Sequence, residues 1–173
     1  MHNTAYIALG SNLPHEGVDG PALLARAASA LQAAGWAPRA RSGIWRSAAW
    51  PPSDQPDYYN AVVGLDPQGV SPQALYAVLR EIESRFGRAR RERWDARTLD
   101  LDIVAMGSLV GTFGEVTLPH PRMHERPFVL APLTEIAPDW RHPVLDKSAS
   151  DLLAALPADY RYQRISDFPP PAG

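Results

Sequence analysis

Apolar and charged positions alternate most strictly at Leu99-Asp100-Leu101-Asp102-Ile103, where a β-strand sets three aliphatic side chains on one side and both carboxylates on the other. Ala5 to Leu9 is a short apolar run that ends at Gly10-Ser11-Asn12 and reads as a buried first strand entering a turn. From Pro21 the period changes to that of a helix, with Leu23, Leu24, Ala27, Ala28 and Leu31 on one stripe and Gly35 as its stop. Ile44-Trp45 marks a second strand and Tyr59 to Leu65 a third. The turn-rich loop between them, Trp50 to Asp57, is too long for a tight hairpin and reads as a functional loop. Ser71 caps a second helix, Pro72 takes its first position, and Leu75, Val78, Leu79, Ile82 and Phe86 form its stripe up to Gly87. On that period Glu83 is expected to be an exposed glutamate of the final turn.

Beyond the carboxylate strand, which runs from Asp100 to Ala105, Met106-Gly107-Ser108 predicts a turn and Glu115 to Leu118 another strand. Pro127 opens a third helix whose Phe128, Val129, Leu133 and Ile136 point inward and which Pro132 should kink or interrupt. Ser150 to Leu156 is a short last helix, and the proline-rich stretch 167–173 is expected to be a poorly ordered tail. The order βαββαβ with later helices predicts one α+β domain over residues 1–166. An antiparallel sheet would carry helices on one face, with the carboxylate strand at its centre and function on the opposite face.

Composition narrows the chemistry. With 173 residues, 45% of them hydrophobic, the chain can bury one good core, and a net charge of −2 argues against a general nucleic-acid or membrane-surface binder. Lys147 is the only lysine and no Gly-x-x-x-x-Gly-Lys-Ser/Thr motif occurs, so arginine is the abundant phosphate ligand. Cysteine is absent, which excludes disulfides, thiolate metal sites and a cysteine nucleophile and is compatible with a reducing cytosol. No basic region followed by an apolar run opens the chain, and no stretch approaches the roughly 18 apolar residues of a membrane span, so a cytoplasmic protein is expected.

Side chains two residues apart on a strand have Cα atoms about 7 Å apart, so Asp100 and Asp102 can both reach one divalent cation or a pair bridged by substrate oxygens. Magnesium suits them, because it uses one or two protein carboxylates together with waters and nucleotide phosphates. Six arginines between Arg85 and Arg97 lead into these aspartates, and guanidinium groups pair bidentately with phosphate oxygens at any working pH. The residues alone also allow blander readings: a solvated acidic strand edge beside a solvated basic loop. They equally allow a two-metal nucleotidyl transferase, which would release pyrophosphate, or a nucleic-acid-binding ferredoxin-like module, which the aspartates do not suit.

Asp95-Ala96-Arg97-Thr98-Leu99-Asp100-Leu101-Asp102-Ile103-Val104 resembles the signature of the 6-hydroxymethyl-7,8-dihydropterin pyrophosphokinase family of folate biosynthesis. Ala8-Leu9-Gly10-Ser11-Asn12-Leu13, Asp54-Gln55-Pro56-Asp57-Tyr58-Tyr59-Asn60-Ala61 and the stretch from Leu118 to Phe128 are similar to further family segments in the same order. The resemblance covers nearly the whole chain. It implies a ferredoxin-like α/β/α fold with a central, mainly antiparallel sheet, and transfer of the β,γ-diphosphate of ATP to the pterin hydroxymethyl group with release of AMP.

By position, Asp100 and Asp102 then match the ligands of two Mg²⁺ ions, and Arg88 and Arg97 join them in catalysis. Glu83, Arg88, Arg90, Trp94, Arg97, Ile103, Thr117, His120 and Arg126 match ATP contacts, with Arg93 a further phosphate or loop contact. Tyr58 and Phe128 match the aromatics that enclose the pterin ring, Asn60 the side chain that reads its edge, and Ser47, Ala49 and Trp50 the adjoining segment. Asp102 is the candidate general base by analogy. Ala48-Ala49-Trp50 and Pro121 depart from the family pattern at the pterin loop and beside the adenine. The partners implied are ATP and the pterin, with neither nucleic acid nor membrane and with a monomer favoured.

Overall fold

Strand β1 (Ala5–Ser11) organises the molecule, because β4 (Tyr58–Leu65) and β5 (Asp100–Met106) both pair with it antiparallel, one on each side. In this computed structural model, which describes residues 3–18, 20–49, 51–87 and 98–170, the sheet continues through β3 (Ile44–Ser47) to β8 (Tyr162–Ser166) in the order β5-β1-β4-β3-β8. The two-residue β2 (Ala40–Arg41) also pairs with β4. Helix α1 (Gly20–Ala33) links β1 to β2 and α2 (Pro72–Arg85) links β4 to β5. With β3 in second place, β1-α1-β3-β4-α2-β5 is the split βαβ pattern of a ferredoxin-like sheet. A β6–β7 hairpin (Gly111–Phe113, Val116–Leu118), α3 (Pro127–Ile136) and α4 (Ala149–Ala154) complete it.

Alternation along the strands builds two cores. Ile7, Leu9, Ala61, Val63, Leu101 and Ile103 meet α1 and α2 on one face, among them Leu24, Leu31, Leu75, Leu79 and Ile82. Tyr6, Val62 and Val104 point the other way and meet Val129, Leu130 and Leu133 of α3 and Leu152 of α4. The expectation of helices on one face is therefore corrected: both faces of the strands carry apolar residues, so both are covered, as the α/β/α resemblance implies. Local signals held at α2, where Ser71 Oγ accepts from Ala74 N at 3.1 Å and Pro72 occupies the first turn. Gly87 follows at φ +75°, a conformation that suits a residue without a Cβ.

Two further expectations change. The carboxylate strand β5 is at one end of the strand order, not the centre. Helix α3 runs through Pro132 without interruption, since its buried Val129, Leu130 and Leu133 anchor it on the sheet whatever the missing N–H costs. Strand β8 carries no strand signal in the sequence; its side chains are mostly exposed, and its pairing with β3 defines it. Phe168 packs against the α1/α2 core, and 171–173 lie outside the described residues.

Candidate active site

Directly paired residues share a face of a sheet, and the register sets Asp100, Gly10, Asn60 and Trp45 in one row across β5, β1, β4 and β3. Asp102, Ala8 and Val62 form the next row. Helix α3 covers Val62 and Val104 further along this face. The glycine keeps the floor open: a Cβ at Gly10 would stand 3.5 Å from Asn60 Oδ1 and 3.8 Å from Tyr58 Cδ1. The carboxylates and the Tyr58–Asn60 pair thus flank a bare stretch of β1. Phe128, in the first turn of α3, is half-buried at the border of the α3/α4 core, and the Arg126 guanidinium lies over its ring at 5.8 Å.

The peptide between the two aspartates is held from helix α2. Leu101 N donates to Glu83 Oε2 at 2.8 Å, Arg80 Nη2 donates to Leu101 O at 2.7 Å, and Arg80 Nη1 meets Glu83 Oε1 at 2.7 Å. Both outward-facing backbone groups of Leu101 are satisfied in this way, which also shields the end of the sheet. Glu83 is 0% exposed, so the expectation of a solvated glutamate is corrected. Burial follows from the N–H it serves, and its carboxylate faces the β5 backbone. The sequence pattern did not single out Arg80; its position one turn before Glu83 was the available signal. Arg80 also stacks on Tyr76 at 4.6 Å and comes within 4.0 Å of Asp102 Oδ1.

Beside this clamp an open cleft is lined by Tyr76, Arg80, Asp102, Ile103, Thr117 and His120, with Glu115, Val116 and Pro121. Four expected nucleotide or metal residues meet there: Asp102, Ile103, Thr117 and His120. His120 is fixed by its own backbone, since its N–H donates to Val104 O at 2.8 Å beside the β5 bulge, and its Nδ1 accepts from Arg122 N at 3.2 Å. Accepting at Nδ1 puts the proton of a neutral ring on Nε2. Burial pushes the His120 pKa below that of an ordinary histidine against the upward pull of Asp102, and Arg126 and Arg122 add to the lowering.

On the other side of the floor, Asn60 is 5% exposed and its Nδ2 donates to the buried Ser47 Oγ at 2.8 Å. Ala49 is also buried. The expected site residues Arg88, Arg90, Arg93, Trp94, Arg97 and Trp50 lie outside the described residues.

Asp100 and Asp102 offer hard carboxylate oxygens on one open face, a donor set suited to magnesium. Among the described residues no group of three or more His, Cys, Asp or Glu could hold a metal, and waters or substrate oxygens would complete the shell of a cation held by this pair. No helix among the described residues is long and apolar enough to cross a membrane.

A model of the 7,8-dihydro-6-hydroxymethylpterin-pyrophosphokinase family matches residues 6–138. Three relatives carry the name 2-amino-4-hydroxy-6-hydroxymethyldihydropteridine pyrophosphokinase. The one from Synechocystis is 46% identical over 112 residues, which cover 65% of this chain and 56% of that one. That from Haemophilus influenzae is 43% identical over 79% of this chain and 82% of its own length. The Pseudomonas aeruginosa protein is 38% identical over 91% and 94%. The chain therefore spans little more than half the length of the Synechocystis relative. Among solved structures, wild-type Plasmodium falciparum HPPK-DHPS superposes with a TM-score of 0.64 at 12% identity, over 88% of this chain and 44% of that one. Its complex with pteroate gives 0.67 at 12%, over 88% and 42%. At that identity the likeness is one of fold.

Proposed function

The chain belongs to the 7,8-dihydro-6-hydroxymethylpterin-pyrophosphokinase family, and on that footing we propose that it moves the β,γ-diphosphate of ATP onto the hydroxymethyl group of 6-hydroxymethyl-7,8-dihydropterin. The pterin oxygen bonds to the β-phosphorus, the bond from that phosphorus to the α-bridging oxygen breaks, AMP leaves with the oxygen, and the hydroxyl proton is released. The observation that carries the reading is the row Asp100, Gly10, Asn60, which sets carboxylates and an amide reader on either side of an open floor.

The division of labour follows from the side chains. Asp100 and Asp102 would hold Mg²⁺, two ions by family analogy, which when bound offsets the charge of the transferring phosphates. His120, neutral and with its proton on Nε2, donates a hydrogen bond into the ATP cleft, and Arg126 brings positive charge to the border between the two substrates. Arg88, Arg90 and Arg97 would pair with phosphate oxygens, and Trp94 would cover them and exclude water. The pterin would lie between Tyr58 and Phe128 with its amide edge on Asn60. Phosphoryl transfer asks little covalent chemistry of a protein, so alignment and charge neutralisation are its main contribution. The protein would act in the cytoplasm as a monomer.

Incubation with ATP, Mg²⁺ and the pterin, followed by mass analysis, tests this. AMP and a pterin diphosphate are expected; ADP, or free pyrophosphate with an adenylylated pterin, would refute the reading.

A further inference from the structure

Residues beyond 138 lie outside the family match, yet two of them hold the connection between β3 and β4 by both its ends. At the β3 end, Ala48 N donates to Arg161 O at 3.1 Å, and the Ala48 carbonyl accepts the hydroxyl proton of Tyr160. At the β4 end, Arg161 Nη2 donates to Asp57 Oδ1 at 3.3 Å and Nη1 to Oδ2 at 3.4 Å, a fork on both oxygens. Arg46 of β3 adds a third bond, from Nε to Oδ2 at 3.1 Å. One carboxylate, 18% exposed, therefore serves two guanidinium groups whose side chains are 50% and 74% exposed.

Asp57 works from the side of the sheet away from the site. The register pairs Ser47 with Tyr58 and Arg46 with Tyr59. Ser47 and Tyr58 stand two residues along from Trp45 and Asn60, on the site face, so Arg46 and Tyr59 stand on the face that α1 and α2 cover. The bond to Arg46 places the Asp57 carboxylate on that second face. Tyr58 opens β4, and its pair with Ser47 is the last in the β3–β4 register, where a ladder frays unless the next residue is tied down. That next residue is Asp57. A ring that encloses a ligand binds best when the cost of ordering it has been met beforehand.

We infer that Asp57 is a positioning residue for the pterin side of the site: gripped by Arg46 and Arg161, it fixes the backbone that enters β4 and keeps Tyr58 set beside the floor before the ring arrives. The inference rests on the pterin assignment above. The carboxylate is the sensitive member of the three. Losing either arginine leaves the other in place, whereas losing the charge of Asp57 leaves two cations facing one another.

Asp57→Asn keeps the size and one acceptor oxygen and removes the charge. Pterin affinity, followed by the ligand's fluorescence at a saturating non-hydrolysable ATP analogue with Mg²⁺, is expected to fall about threefold to tenfold. Arg161→Gln, at a side chain exposed enough to leave folding alone, should lose about twofold, the scale of an exposed ion pair. Affinity for the ATP analogue and kcat at saturating pterin should stay within about twofold in both variants, because the nucleotide cleft lies at β5, two strands away from β4. In a Tyr58→Ala background Asp57→Asn should cost no further pterin affinity, which a general loosening of the fold would. Native pterin affinity in Asp57→Asn, equal losses for pterin and the ATP analogue, or full additivity with Tyr58→Ala would each overturn the inference. Wild-type protein that binds no pterin would instead refute the functional reading, and this inference with it.

Discussion

Glu83 accepts a hydrogen bond from the backbone N–H of Leu101 at 2.8 Å, so a fully buried carboxylate of α2 holds the peptide that joins the two aspartates. Glu83→Ala leaves that N–H without its acceptor and Arg80 without its nearest carboxylate, and is expected to cost about 2–4 kcal/mol in urea unfolding. The variant should also bind Mn²⁺ more weakly than wild type in the presence of a non-hydrolysable ATP analogue, read by electron paramagnetic resonance. Unchanged stability and unchanged metal affinity would mean that α2 does not hold β5 in place.

Gly10 leaves the floor bare, and its φ is not positive, so alanine is sterically allowed: the added Cβ meets Asn60 Oδ1 at 3.5 Å and Tyr58 Cδ1 at 3.8 Å, ordinary contacts. Gly10→Ala is therefore expected to fold with a Tm within a few degrees of wild type but to bind pterin at least about tenfold more weakly, as one methyl group takes ligand space. Isothermal titration with the pterin checks this. Native affinity would show that the ligand does not lie over β1.

Strand β5 was legible because from Asp100 to Ile103 only the Leu101 and Ile103 side is buried, which enforces a period of two, and α2 because Ser71-Pro72 is a local start signal. What could not be read depended on distant partners. Glu83 borders the apolar stripe of α2, and only the unmet N–H of Leu101, arriving from another element, makes burial favourable there. Strand β8 has little apolar alternation to show, because β3 supplies the pairing and solvent takes the rest. Pro132 carries a strong local helix-breaking signal that packing of α3 overrode. Tyr160 has no motif of its own; its hydrogen bond goes to the Ala48 carbonyl, more than a hundred residues earlier.

Phe128 is half-buried with its ring against Tyr160. Phe128→Ala is expected to weaken pterin binding by about 1–3 kcal/mol through lost burial and stacking. ATP binding should change much less, through the Arg126 guanidinium that rests on the ring. Equal losses for both ligands, measured by separate titrations, would show that Phe128 supports the fold instead of contacting the ring.

His142 is 5% exposed, and its Nδ1 accepts from Val144 N at 3.2 Å and Leu145 N at 3.0 Å. Burial, and then the neighbouring His124, push its pKa below that of a free histidine. The unfolded chain thus takes up the proton first as pH falls. Stability from the neutral ring is full above about pH 6.5 and is lost as pH drops from there through the lower folded value. His120 acts with the same sign. His142→Asn, which keeps an acceptor near those amides, should flatten the fall in Tm between pH 7 and about 5.5 without abolishing it. An unchanged pH profile would contradict the assignment.

The central claim is that Asp100 and Asp102, side by side on one face of β5, are the charged centre of diphosphate transfer. Single-turnover measurement of AMP formation in the presence of Mg²⁺ and pterin tests it, comparing wild type with Asp100→Asn, Asp102→Asn and the double variant. Each single variant is expected to keep the wild-type circular dichroism spectrum and to slow the reaction by at least about 10²-fold, the scale of losing one preorganised charge at a transferring group. A double variant that folds and forms AMP at the native rate would contradict the account.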